Sequence, residues 1–91
     1  MLNTINYTTS STSYTISSIA NYNVLCVAIQ YDSATYVYFD IPVARLKLGR
    51  QRLTTSRSTS ICLISLEYVD NTHLKIWGDG PYETVKLYGV K

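Results

Sequence analysis

The apolar residues of this chain recur mostly with the two-residue period of β-strands. Between Tyr22 and Ile41, two runs rich in Val, Ile, Tyr and Phe flank the short polar turn Asp32–Ala34, a pattern that predicts a β-hairpin. The first run includes Val24–Ile29, the longest unbroken apolar segment. Its length suits a strand buried on both faces and is too short for a stable helix. We expect the remaining strands to cover this hairpin.

Further strands are predicted on both sides of the hairpin. Residues 1–20 are rich in Ser and Thr, but the spacing of Ile5 with Tyr7 and of Tyr14 with Ile16 indicates two weak strands rather than a low-complexity arm. The C-terminal third predicts three strands, separated by turns at Asp70-Asn71 and at Gly78-Asp79-Gly80-Pro81. These strands are Ser58–Val69, Leu74–Trp77 and Thr84–Val90.

Pro42 ends the hairpin, because proline lacks the N–H that a strand ladder needs. In the segment that follows, Leu46, Leu48 and Leu53 are expected to anchor a loop or short strand to the core. No segment has apolar residues at helical spacing. The prediction is one all-β domain over residues 1–91, an antiparallel β-sandwich (jelly-roll-like or immunoglobulin-like) of about seven to eight short strands without significant helix.

Composition limits the function and the compartment. The net charge of +2 is too small to imply a polyanionic partner, and nine tyrosines suit half-buried strand faces or interfaces. The N-terminus has neither the basic residues nor the apolar core of a secretory signal, and no run is long enough to cross a bilayer. We therefore expect synthesis in a cytoplasm, no membrane insertion, and free thiols at Cys26 and Cys62. A disulfide between packed sheets is the alternative.

Catalytic and metal-binding residues are scarce. His73 is the single histidine, and no glycine-flanked serine accompanies it as in a nucleophile elbow. The carboxylates show no paired acid–base spacing, and one histidine with two distant cysteines does not provide a zinc site. The sequence predicts a protein that is not an enzyme and has no metal or cofactor.

A basic segment is the clearest electrostatic feature. It holds five of the eight basic residues and no acid, so it would suit phosphate on nucleic acid or on a lipopolysaccharide. A solvated loop, or a subunit contact with the acidic turns, is the alternative. No aromatic residue interleaves these side chains, which argues against nucleic acid because base stacking needs one. The basic candidates are Arg45, Lys47, Arg50, Arg52 and Arg57.

Aromatic residues form the second candidate surface. Placed on outward strand faces, their rings would stack on sugars and mark a binding surface. Packing between neighbouring strands, or burial against another subunit, is the alternative. The aromatic candidates are Tyr36, Tyr38, Trp77, Tyr82 and Tyr88, with His73 on the same predicted faces.

The C-terminal three quarters of the chain carry a family resemblance. The segments that carry it are Phe39-Asp40-Ile41-Pro42-Val43, Ser60-Ile61-Cys62-Leu63-Ile64-Ser65-Leu66, Leu74-Lys75-Ile76-Trp77 and Lys86-Leu87-Tyr88-Gly89-Val90. With these, residues 22–91 resemble small all-β virion proteins of tailed bacteriophages, which tend to end in a strand close to Lys-(aliphatic)-Tyr-Gly-(aliphatic). The resemblance assigns no functional residue.

The resemblance implies a non-enzymatic virion accessory protein, acting as a fibre tip, a receptor-binding module or a capsid-decoration module. Its location would be the virion. It would be a homo-oligomer, with a trimer favoured, and its partners would be other virion proteins and a host cell-surface glycan. Binding would use the outward aromatics and the loops Asp32–Ala34 and Gly78–Tyr82.

Two other functions remain open from the residues. One is a small cytoplasmic regulator that binds nucleic acid or a host protein through Arg45–Arg57. The other is a monomeric carbohydrate-binding module.

Overall fold

The computed structural model describes residues 3–6, 12–16, 18–57, 60–80 and 82–91. These residues contain eight strands: β1 (Asn3–Asn6), β2 (Thr12–Thr15), β3 (Val24–Gln30), β4 (Tyr36–Pro42), β5 (Gln51–Arg57), β6 (Ser60–Asp70), β7 (His73–Asp79) and β8 (Thr84–Val90). The strands form two four-stranded sheets, with the order β1-β8-β3-β4 in the first sheet and β2-β7-β6-β5 in the second. All neighbouring pairs are antiparallel. The predicted all-β sandwich is confirmed.

The core lies between the two sheets. Strand alternation places one side chain in two on the inner face, and the register aligns these residues across strands. Val27 of β3, for example, lies between Phe39 of β4 and Leu87 of β8. The second sheet contributes Cys62, Ile64, Leu66, Leu74 and Ile76, and the short elements between the sheets contribute Ile19, Val43 and Leu46.

Two glycines make room for tyrosine rings against the sheets. A Cβ at Gly78 would lie 3.1 Å from Cε1 of Tyr82, and a Cβ at Gly89 would collide with the ring of Tyr22. Gly78 lies opposite Ile64 in β6, and Gly89 lies opposite Leu25 in β3, so both glycines are on inner faces. A residue without a side chain lets a backbone be approached this closely.

The hairpin and the strand predictions are confirmed at β3, β4, β6, β7 and β8, and so are the two weak N-terminal strands, with Tyr7 lying outside the described residues. The outer face of Val24–Ile29 is only partly buried, however, because Val24 and Cys26 point outward and are half-buried, while Ala28 on the same face is buried. The outward-facing Ile61 and Leu63 are likewise exposed in β6.

The segment after Pro42, expected to be a loop or a short strand, contains both a helix and a strand. It forms the short helix α1 (Val43–Leu46) and then the full edge strand β5. Leu46 is buried and Leu53 packs against the core, as predicted. The anchoring role of Leu48 is wrong, since this residue lies in the turn after α1 and is 86% exposed.

Both cysteines are free. Cys62 points into the core, whereas Cys26 lies opposite Asp40 and Tyr88 on the outer face of the first sheet. A disulfide between the packed sheets is therefore excluded. Burial raises the pKa of both thiols, with a hydrogen bond to Asp40 adding to the effect at Cys26. Neither environment favours the reactive thiolate.

Candidate binding site

The outer face of the second sheet brings charged, aromatic and apolar side chains together. Register aligns Arg52 of β5, Ser65 of β6 and Trp77 of β7 in one row across three strands. The next row on the same face, two residues along each strand, contains Leu63 and Asp79. Antiparallel pairing thus joins residues from three strands that are separate in the sequence.

A hollow opens in this face because a small residue lies between two large ones. Ser65 is the central member of its row, and the longer side chains of Arg52 and Trp77 stand on either side. The hollow has a volume of about 330 Å³, near the lower limit for small-molecule sites. It is lined by Arg52, Leu63, Ser65, Trp77, Gly78 and Asp79.

The charged side chains around the hollow differ in whether they already interact with another residue. The guanidinium carbon of Arg50 lies 5.0 Å from the centre of the Trp77 ring. Nη2 of the same guanidinium lies 3.9 Å from a carboxylate oxygen of Glu67. The guanidinium of Arg52 has neither an ion pair nor a hydrogen bond with the described residues. Oδ1 of Asp79 accepts a hydrogen bond from the Gly80 N–H at 2.9 Å. Among the described residues, the hollow therefore offers the guanidinium of Arg52, which has no partner there, and the carboxylate of Asp79, whose second oxygen can accept a further hydrogen bond.

This arrangement is suited to binding a small polar ring. The indole can cover the C–H face of a ring, Arg52 can pair with an anionic group, and Asp79 can accept a hydrogen bond from a hydroxyl. The apolar side chain of Leu63 supplies contact area. Nothing in this arrangement activates a nucleophile.

The outer face of the first sheet carries a second aromatic group. The rings of Tyr36 and Tyr38 stack at 6.1 Å with an interplanar angle of 18°. Lys86 donates from Nζ to the Tyr36 hydroxyl at 3.1 Å and lies 5.2 Å from the ring centre. The Tyr36 hydroxyl raises the pKa of Lys86. Tyr88 lies on the same face, opposite Cys26.

The aromatic candidates therefore do not form one platform. Tyr36, Tyr38 and Tyr88 are on the outer face of the first sheet, and Trp77 is on the opposite side of the sandwich. The outward placement of Tyr82 is wrong, because this residue is 7% exposed and belongs to the core. The chain folds back over Gly78 after the turn, which carries the tyrosine ring inward.

The basic candidates separate as well. Arg45 is exposed on α1, and Lys47 has its Nζ 5.9 Å from the ring centre of Tyr68. Arg52 lines the hollow, Arg50 contacts the ring of Trp77, and the side chain of Arg57 lies outside the described residues. The sequence argument that no aromatic residue accompanies these cations does not hold in the fold.

His73 is the first residue of β7, beside the turn from β6, and does not line the hollow. Its Nδ1 lies 2.9 Å from Oδ1 of Asp70, and the Thr72 N–H donates to the same oxygen at 2.9 Å. The pKa of Asp70 is lowered, first by this backbone N–H and then by the histidine. The cluster closes the turn.

Sequence reasoning missed two residues that line the hollow, Leu63 and Ser65, whereas Gly78 and Asp79 belong to the predicted binding loop Gly78–Tyr82. One signal was present, since Ser65 is a polar residue within an otherwise apolar strand. A small side chain at such a position leaves space only if its cross-strand neighbours are large, and that depends on register.

No protein-family model matches the chain, no curated protein matches it in sequence, and no solved structure matches its fold. Within the described part of the chain, no group of three or more His, Cys, Asp and Glu side chains could hold a metal ion. None of the described helices is long and apolar enough to span a membrane. The side chains around the hollow are therefore the basis for assigning a function.

Proposed function

We propose that this chain is a non-enzymatic binding module that holds an anionic sugar against Trp77. Following the resemblance to tailed-phage proteins, we place it in a virion as a fibre tip, a receptor-binding module or a capsid-decoration module. Its partners are then other virion proteins and a cell-surface glycan. The observation that supports the binding role is the hollow around Ser65, with an aromatic ring, a guanidinium and a carboxylate at its rim.

The ligand class follows from the mixed charge of the hollow. The uncommitted guanidinium of Arg52 favours a carboxylate or a phosphate, since charge-assisted hydrogen bonds are stronger than neutral ones. Asp79 repels a bare phosphate but accepts hydrogen bonds from sugar hydroxyls. The indole of Trp77 favours the apolar face of a ring. A sugar that carries an acidic group satisfies all three side chains.

Trp77 provides a direct measurement, because it is the single tryptophan in the chain. Titration with glucuronic acid, glucose 6-phosphate and glucose, followed by tryptophan emission, reports occupancy of the hollow. We expect both anionic sugars to change the emission at lower concentrations than glucose. Comparing glucuronic acid with glucose 6-phosphate shows whether the hollow prefers a carboxylate or a phosphate.

Single substitutions measure how much each side chain contributes to sugar binding. Arg52→Gln should weaken binding of the anionic sugars about 10–150-fold, as for the loss of one hydrogen bond to a charged group, and leave glucose unaffected. Lys75→Gln is the matched control, since Lys75 is on the same sheet face but does not line the hollow. Trp77→Ala should abolish binding of all three sugars in calorimetry. If no sugar binds the parent protein, or if Trp77→Ala binds as well as the parent, this function is refuted.

Binding of single-stranded nucleic acid is the second candidate. The observation in its favour is the contact of Arg50 with Trp77, since cation and ring together resemble a stacking site. The carboxylates of Glu67 and Asp79 lie on the same face and oppose a polyanion. The test is a gel shift at low salt: retention lost in Arg50→Glu with Arg52→Glu would support this function, and no retention of the parent protein would remove it.

A further inference from the structure

Strand β4 is an exposed edge of the first sheet, and its sequence does little to prevent another strand from pairing with it. Unprotected edge strands are templates for pairing, and proteins usually shorten or charge them. The edges β1 and β2 have four residues each, and β5 carries Arg52 and Arg57. By contrast, β4 has seven residues, Tyr-Val-Tyr-Phe-Asp-Ile-Pro. Among the described strands it pairs only with β3.

The direction of the free main-chain groups on β4 follows from two hydrogen bonds at its ends. The Val43 N–H donates to the Asn23 C=O at 2.9 Å, and the Tyr31 N–H donates to the Thr35 C=O at 3.0 Å. In an antiparallel ladder, alternate residues direct both main-chain groups to the same side. The odd-numbered residues in 35–43 therefore direct their main-chain N–H and C=O groups toward β3. Tyr36, Tyr38 and Asp40 direct their N–H and C=O groups away from the sheet.

The core is also incomplete beside this edge. Val37 and Phe39 point to the inner face, opposite the fully buried Ile29 and Val27 of β3. Yet both side chains on β4 are only half-buried, because none of the other described strands lies beyond this edge to cover them. A strand added at this edge would bury apolar surface as well as satisfy the main-chain groups.

We propose that two copies of this chain pair antiparallel through β4, with Tyr38 facing Tyr38 of the second copy on a two-fold axis. This register places Tyr36 opposite Asp40 of the second copy. The residues whose main-chain N–H and C=O groups point away from the sheet therefore pair with one another across the contact. On the inner face it places Val37 opposite Phe39 of the second copy, at the closer spacing of non-hydrogen-bonded pairs. Pro42 has no N–H, so the pairing ends there.

The two-fold axis closes the assembly. A contact of this kind is isologous: it uses the β4 edge of both copies and leaves none free for a third. The proposed contact therefore gives a dimer, in contrast to the trimer that the family resemblance implies. Light scattering after size exclusion separates the two, because one chain has a mass of 10.3 kDa.

The two-fold axis allows a sharp test, because any substitution at residue 38 lies opposite the same substitution in the second copy. Tyr38 is 63% exposed, so replacing it leaves the core intact. Tyr38→Lys and Tyr38→Glu each put like charges opposite one another, which disfavours a cross-strand pair. We expect each variant alone to be monomeric at a concentration where the parent is dimeric, and an equimolar mixture to recover the dimer. Tyr38→Thr, an uncharged strand-forming residue, is the matched control and should remain dimeric.

Circular dichroism and thermal melting establish that both charged variants are folded. A parent protein that is monomeric up to millimolar concentration overturns the proposal, and so does a stable trimer. It is equally overturned if Tyr38→Lys associates as strongly as the parent, or if the mixture of the two charged variants remains monomeric.

Discussion

Tyr82 belongs either to a binding surface or to the core, and the stability of the variant Tyr82→Ala distinguishes these two placements. The ring is buried in the hydrophobic cluster and lies over Gly78. Truncating a buried aromatic side chain to alanine typically costs about 3–5 kcal/mol. Small domains have free energies of unfolding of about 5–15 kcal/mol, so the variant should lose a large share of its stability.

Tyr38→Ala is the matched control, because it makes the same chemical change at a position that is 63% exposed. Surface substitutions usually change stability by about 0.5 kcal/mol or less. Urea unfolding should be followed by circular dichroism at low protein concentration, where contacts between copies do not contribute. A loss below about 1 kcal/mol for Tyr82→Ala, or an equal loss for both variants, would refute the core placement.

Two further predictions concern Gly78 near the end of β7 and Asp70 at the end of β6. Gly78→Ala should lower the melting temperature, because its Cβ would lie 2.6 Å from the Leu63 carbonyl oxygen and 2.6 Å from Ile64 Cδ1; an unchanged melting temperature would contradict this packing. The lowered pKa of Asp70 means that its contribution to stability is present above the unfolded-state pKa and is lost as the pH falls through the folded-state value. Asp70→Asn should therefore reduce stability at neutral pH and make the melting temperature depend less on pH in the acidic range, and a parallel acid profile for parent and variant would count against the Asp70 contacts.

The strands could be predicted because their information is local. Val, Ile and Tyr at a two-residue period, bounded by turn residues, define β3, β4 and β8 without knowledge of any partner strand. The helix α1 has only four residues, which is too few for a helical period to show. Leu48 was misplaced for a related reason: one apolar residue in a turn carries no information about the direction of its side chain.

The candidate site could be predicted only in part, because it depends on register. Trp77 and Arg52 were identified as residue types that bind ligands, but their positions in the sequence do not show that one serine separates them in the sheet. The misassignment of Tyr82 has the same origin. Whether a residue after a turn points inward depends on the space beneath it, and here that space exists because residue 78 has no side chain.

The proposed dimer and the proposed sugar site reinforce each other through the geometry of the sandwich. The β4 register places Val37 and Phe39 of the second copy on the same inner face, so the two-fold axis runs perpendicular to the sheets. Such an axis keeps the outer face of the second sheet on the same side in both copies. The two hollows at Trp77 then open in one direction and remain clear of the contact. A surface with repeated acidic sugars would engage both hollows at once, and linked sites of this kind can exceed single-site affinity by about 10²–10⁴-fold. Weak binding by one shallow hollow is therefore compatible with firm attachment of the dimer to a glycan-covered surface.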